Sequence, residues 1–257
     1  MKIPLKSPPK HIYVPLIILI LGFVTFYTDQ IDIVSDMGFY MNAGMNIHLR
    51  KGYTDTDGTL IIKRGPLFPL LLAASFWLFG LSPWSAFWIV RIFSILNPLA
   101  IYFIGKKFYG RWIGFAASLL VLSSFSLNYW SYRHLDAAWP FFVLLSIFTL
   151  YLAFEKSSII HFSISAVLIS LAYLIKQAPI LLFPLPFLLW VIIGDFRNKK
   201  NFKGVVIFLL VIFTILTPWI YYVFSQTHNI KFAILGGFGE TAASTTRSAN
   251  IVFLIRN

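Results

Sequence analysis

Gly65-Pro66-Leu67-Phe68-Pro69-Leu70-Leu71-Leu72-Ala73-Ala74-Ser75-Phe76-Trp77-Leu78-Phe79-Gly80-Leu81 is the stretch on which the topology of this chain turns. It is apolar almost throughout, yet it runs for only about 17 residues where a bilayer crossing takes about 20. Pro66 and Pro69 stand in its first turn, where a proline costs a helix least. Whether this run crosses decides the side on which every later loop lies.

Around it, apolar runs fit for crossing lie at roughly 12–27, 84–105, 112–131, 138–154, 158–175, 178–194 and 204–224. Lys2, Lys6 and Lys10 precede the first of these. It lacks a small-x-small cleavage site and is followed by Thr28-Asp29-Gln30-Ile31-Asp32, so it reads as an uncleaved span with a cytoplasmic basic flank. Lys106, Lys107 and Arg111 form one basic turn, Glu155-Lys156 a weaker one, and Arg197, Lys199, Lys200 and Lys203 the strongest. If Gly65–Leu81 does not cross, all of these face the cytoplasm with the N-terminus. If it crosses, the Lys106 and Arg197–Lys203 clusters both land outside, against the positive-inside trend. The run is therefore expected to lie in, or dip into, the outer interface, leaving about seven true spans.

Composition agrees with this class. The chain is 58% hydrophobic, 18% aromatic and 12% charged, too little polar surface to cover a soluble globule. The absence of cysteine excludes disulfides and thiolate metal sites. The net charge of +12 sits in short clusters between apolar runs, where it sets orientation and meets anionic membrane lipids, so no nucleic acid partner is called for. The expected fold class is an all-α polytopic transmembrane bundle with interfacial helices in its first outer loop.

That loop, residues 29–83, is the longest polar stretch in the first half. Phe39–Leu49 reads as a short amphipathic helix with Tyr40, Ala43, Gly44 and Ile47 on one face. Arg50-Lys51-Gly52 stops it, and Thr54-Asp55-Thr56-Asp57-Gly58 forms a turn leading to a basic corner, Lys63-Arg64-Gly65-Pro66. Only 9 of the 257 residues are acidic, and a carboxylate at a membrane boundary is paired, hydrated or functional. Asp36 and Asp136 fall on the same, outer side and read as one site.

In their order, Asp36-Met37-Gly38-Phe39-Tyr40, Ala43, Gly52, Arg64-Gly65-Pro66-Leu67 and Phe79-Gly80-Leu81-Ser82 resemble the first outer loop of the C-type (GT-C) membrane glycosyltransferases. The nearest subfamilies are protein O-mannosyltransferases and bacterial lipid A aminoarabinose transferases. Arg91, Tyr132-Arg133 before Asp136, Leu174-Ile175-Lys176 and Thr217-Pro218-Trp219 extend the resemblance over roughly residues 10–225. Met37 stands where an acid often follows the Asp, and Gly65 replaces the first proline of the corner. Members usually continue well beyond this length. The expected organisation is therefore a transmembrane catalytic region over 1–225 and, over 226–257, a polar outer loop opening a C-terminal part that is missing or reduced.

The resemblance implies transfer of a hexosyl or pentosyl group from a polyprenyl-phosphate-linked donor to a lipid, glycan or protein acceptor, with inversion, at the non-cytoplasmic face. That face belongs to the plasma (inner) membrane, or to the endoplasmic reticulum in a eukaryote. Such chemistry needs a base for the acceptor proton and cations for the leaving phosphate. Asp36 is the candidate base, with a helix cap from Ser35 or Asp36 as the plainer reading. Asp136 either acts in catalysis or pairs with Arg133, and Arg133 and His134 beside it are candidate substrate contacts. The resemblance places Lys63, Arg64 and Lys176 at the carrier headgroup, and Tyr40 is a candidate sugar platform. Asp36, Asp136 and His134 are the residues that would hold a divalent Mg, Mn or Zn ion, although their spacing is not diagnostic. The rival readings are a transporter or lipid translocase, with Asp36, Arg91 and Asp136 along its path, and an inactive truncated scaffold.

Overall fold

The computed structural model describes residues 13–26, 36–124, 137–193 and 198–235. They form α1 (Tyr13–Phe26), α2 (Asp36–His48), α3 (Leu67–Phe79), α4 (Pro83–Tyr109), α5 (Arg111–Ser123), α6 (Ala138–Lys156), α7 (Ile159–Ile175), a 3-10 turn (Ala178–Leu182), α8 (Leu185–Ile193), α9 (Lys199–Thr227) and α10 (Ile230–Leu235). Among the described residues the nearest approach to a strand is one antiparallel bridge, Thr54 to Leu60. The molecule is an all-α bundle.

α4, α6 and α9 are long and apolar enough to cross a membrane by themselves. α1, α5, α7 and the broken segment 178–193 are shorter apolar helices at the other expected crossings. The sixth crossing is interrupted because Pro184 follows the 3-10 turn and can give no backbone donor, so α8 restarts after it. α9 begins five residues earlier than its apolar run. Asn198 caps it, accepting from the Lys200 and Asn201 amides at 3.1 and 3.3 Å, and this draws Lys199, Lys200 and Lys203 into the helix.

α3 is the Gly65–Leu81 run, and both of its ends are described. Pro66 precedes it and Gly80, at φ 83°, closes it. Thirteen residues make about 20 Å of helix, short of the roughly 30 Å of bilayer hydrocarbon. Its Phe68, Leu72 and Phe76 face the protein interior, while Leu70, Trp77 and Leu78 are exposed. An apolar helix half sunk in protein and half open suits the interface. Ser82 then caps α4, accepting from the Ser85 amide at 3.2 Å, with Pro83 as the first helical residue.

α2 starts at Asp36, three residues before the expected helix, and it is not amphipathic in the expected sense. Met37, Gly38, Tyr40, Met41, Asn42, Ala43, Gly44 and Asn46 are all buried. α3 lies directly against it. A Cβ at Gly44 would come within 2.8 Å of the Leu72 Cβ, so the two backbones approach as closely as a glycine permits. The residues of α2 and α3 join the start of α4, Ala137, Ala138 and Ile175 in one apolar cluster. A second cluster holds α6, α7 and α9 together. α6 and α7 are also fastened by buried serines: Ser146 Oγ donates to the Ser165 carbonyl at 2.9 Å, and Ser165 Oγ to the Ser146 carbonyl at 2.8 Å. Such bonds act as polar glue between apolar helices.

The bundle has two distinct ends. At one, Lys107 Nζ meets both Glu155 carboxylate oxygens at 3.1 Å, joining α4 to α6. There too Asn198 Nδ2 donates to Ser157 Oγ at 2.8 Å, bringing the start of α9 to the α6–α7 turn. The basic turns at Lys106–Arg111, Lys156 and Lys199–Lys203 therefore share one end. The first loop and the far ends of α7 and α9 form the other.

Candidate active site

The spacing at the head of α2 builds a cradle for one guanidinium. Asp36, Phe39 and Tyr40 stand at i, i+3 and i+4, on one helix face. Arg64 reaches that face from the end of the loop. Its Nη2 donates to Asp36 Oδ1 at 2.9 Å, and its central carbon lies 4.7 Å from the Phe39 ring centroid and 5.2 Å from that of Tyr40. Planar guanidinium over aromatic faces, with one edge on a carboxylate, is a combination lysine cannot reproduce. Burial works against the charge of Arg64, but Tyr40 and Asp36 outweigh it and hold its pKa above the ordinary value. Arg64 stays a cation. The Asp36 side chain is 45% exposed, so the carboxylate is paired yet open to an incoming molecule.

Tertiary contacts fix the corner that carries Arg64. Tyr53 Oη lies 2.8 Å from the Arg64 carbonyl oxygen and 3.1 Å from that of Gly65, which share its proton. Burial raises the Tyr53 pKa most, with Tyr40 adding to this, so the phenol remains protonated and donates. Gly65 abuts the Leu174 carbonyl, and a Cβ there would overlap that oxygen. The departure from proline at this position thus has a steric reason: no residue with a Cβ lets the corner approach α7 so closely. Gln177 Nε2 donates to the Lys63 carbonyl at 3.3 Å, tying the corner to the residues just beyond α7. Further back, Asn46 of α2 donates to the Thr54 and Asp55 carbonyls, each at 3.0 Å, and so holds the hairpin from which Tyr53 projects.

Of the residues singled out in the sequence, Asp36, Tyr40 and Arg64 come together directly, and the Lys63 backbone meets the segment holding Lys176. Tyr40 is buried, edge-on to Phe68 with centroids 5.5 Å apart and Arg64 over its ring. Its face is occupied by Arg64 rather than laid open as a platform. Lys176 Nζ lies 5.6 Å from the Trp139 centroid. Tyr221 is 70% exposed, whereas its neighbour Tyr222 stacks on Trp219 at 5.5 Å. Arg91 is buried within α4, its guanidinium 5.1 and 5.6 Å from the Trp84 and Trp88 centroids. Asp136, Arg133 and His134 lie outside the described residues. The residue after Asp136, Ala137, is buried in the cluster that contains Met37 and Tyr40, and its carbonyl accepts from Asn97 Nδ2 at 2.7 Å. Among the described residues no three carboxylates or imidazoles gather as a metal site.

Phe39, Tyr53 and Trp219 have roles here that the sequence reading did not assign. Phe39 could have been found from its i, i+3 relation to Asp36. Tyr53 carries no local signal, since its partners lie 11 and 12 residues on, and its ring packs 6.0 Å from Trp219 near the end of the last long helix. An apolar groove of about 560 Å³ between α1 and α5, lined by Leu21, Thr25, Leu119 and Leu120 among others, shares no residue with this constellation.

A family model described as dolichyl-phosphate-mannose-protein mannosyltransferase matches residues 63–222. Among solved structures, ArnT from Cupriavidus metallidurans bound to undecaprenyl phosphate is similar, with a TM-score of 0.65 at 14% sequence identity over 90% of this chain. The match covers 44% of that protein, so this chain spans less than half its length. At such identity the likeness shows the fold, an all-α membrane bundle. No curated protein matches the chain.

Proposed function

This chain belongs to the dolichyl-phosphate-mannose-protein mannosyltransferase family, and from that premise we propose that it transfers a sugar from a polyprenyl-phosphate-linked donor to a lipid, glycan or protein acceptor. The carrying observation is the 2.9 Å contact between Asp36 and Arg64 at a corner seated on the end of α7, where Lys176 follows. That contact supports reading Asp36 as the carboxylate for the acceptor and Arg64 as a cation for the leaving phosphate. Undecaprenyl phosphate, the ligand of the structurally similar ArnT, is a polyprenyl phosphate, the carrier that the proposed donor would release once its sugar is transferred.

In the proposed reaction the acceptor hydroxyl or amine attacks the anomeric carbon from the side opposite the phosphate. The bond from that carbon to the phosphate oxygen breaks, and the electron pair leaves with the lipid phosphate. Asp36 takes the acceptor proton as general base. Arg64, with Lys63 and Lys176 nearby, holds the phosphate as its charge grows; the guanidinium offers two parallel donors and the lysines act as point charges. Attack from the opposite face inverts the configuration. Asp136, with Arg133 and His134, is assigned to acceptor orientation. Any divalent ion would need Asp36 together with Asp136 and His134, and no step is assigned to one.

The two ends of the bundle agree with a site at the non-cytoplasmic face, since the lysine-rich end is the one the positive-inside trend assigns to the cytoplasm. The organisation proposed with this reading is a catalytic membrane region over residues 1–225. Arg91 is the ionisable side chain set well inside a described span, and the other charges gather at helix ends, as a transferase requires more than a transporter does.

Membranes carrying the chain, supplied with a panel of radiolabelled polyprenyl-phosphate sugars, test the reading. Transfer from at least one donor is expected, falling by about 10²- to 10⁴-fold in Asp36→Asn, the contribution typical of a general base. Undiminished transfer in Asp36→Asn would remove that residue from the mechanism.

A further inference from the structure

We propose that Tyr53 is a positioning residue for donor binding: its hydroxyl, bonded to the Arg64 and Gly65 carbonyls, sets the direction in which Arg64 presents its guanidinium to the donor phosphate. This rests on the reading that Arg64 holds that phosphate. Three observations carry it. The hydroxyl bonds two consecutive carbonyls at 2.8 and 3.1 Å, so it holds the peptide plane from which the Arg64 side chain departs. The ring lies 6.0 Å from Trp219, which in turn stacks on Tyr222, so the hydroxyl is backed by α9 as well as by its own loop. On the other flank Gly65 is stopped by the Leu174 carbonyl of α7.

The corner is therefore gripped between α7 and α9, and Tyr53 is the strut on the α9 side. A side chain as long as arginine turns a small rotation at its backbone into a large displacement at its tip. A loosened corner would leave the guanidinium charged and close to Asp36 but misaligned for two parallel bonds to phosphate, which depend on direction. Tyr53 need touch no substrate to matter.

Tyr53→Phe keeps the ring against Trp219 and removes only the hydroxyl. Loss of this shared hydrogen bond is expected to raise the donor KM by about tenfold, with kcat within about threefold. In an Arg64→Ala background the same change should add less than about twofold, because there is no guanidinium left to aim. An unchanged KM, or the same factor with and without Arg64, would overturn the proposal. So would loss of a cooperative thermal melt in Tyr53→Phe, which would make the hydroxyl structural. A second measurement needs no turnover: phenylglyoxal labelling of Arg64, followed by mass spectrometry, should be at least about threefold faster in Tyr53→Phe, since the hydroxyl removed holds the corner. Equal labelling rates overturn the positioning role. A parent that transfers no sugar but shows faster labelling in the variant instead overturns the functional reading and leaves the strut standing.

Discussion

Two ion pairs stand at opposite ends of this bundle, and they do different things. Lys107 and Glu155 meet at 3.1 Å with side chains 41% and 36% exposed, and Tyr151 Oη also donates to Glu155 at 3.2 Å. Asp36 and Arg64 meet at 2.9 Å with comparable exposure, 45% and 31%. Distance and exposure alone do not separate them. The difference is in what holds each cation: Lys107 ends a flexible chain at a helix terminus, whereas Arg64 rests on two aromatic rings and leaves a backbone fixed by Tyr53 and blocked by Leu174. A pair that is merely near is a fastening of little consequence, and a pair whose backbone and side chain are both constrained is preorganised for a third charge.

Breaking each pair in turn tests this contrast most severely. Arg64→Ala is expected to lower kcat/KM for the donor by about a hundredfold, the scale of losing a charged partner of a phosphate, and Arg64→Lys should recover only a small part because an ammonium lacks the planar fork. Full recovery by lysine would mean that only charge matters at the corner. Gly65→Ala sharpens the comparison by leaving both members of the pair intact and moving the backbone beneath one. The added methyl must displace the corner from Leu174, so a loss of about tenfold in transfer and a lower Tm are expected, in keeping with overpacking of about 1–3 kcal/mol. Transfer and melting equal to the parent would show that the corner is not held there. Glu155→Gln marks the small end of the scale: transfer measured in membranes should stay within about twofold of the parent. A large loss would make the basic end part of the working site.

How far the sequence could be read depended on the range of the interaction concerned. The apolar runs, the short Gly65–Leu81 segment and the clustering of lysines are local patterns, and each appears in the structure near the place expected. The helix of α2 takes in Asp36, Met37 and Gly38 as well as the expected residues, and Met37 and Gly38 are buried beside α3. The same burial surrounds α2 on nearly every side, where its periodicity suggested one face. Asp36 and Arg64 were both legible as important, but as base and phosphate ligand separately. That they touch, 28 residues apart, was not.

The sequence by itself determined the class of the protein, because continuous apolar runs of this length satisfy their backbone in lipid as helices, and because hydrophobic length and lysine position act locally. It also marked the acids and cations worth attention, since charges are costly in such surroundings and therefore few. Only the tertiary structure decided which of them meet. Gly65 against Leu174, Tyr53 between Arg64 and Trp219, and Ala137 beside the cluster of Met37 and Tyr40 join segments far apart in the chain. No local period encodes such contacts. They arise when helices pack, and packing depends on the shapes of all the partners at once.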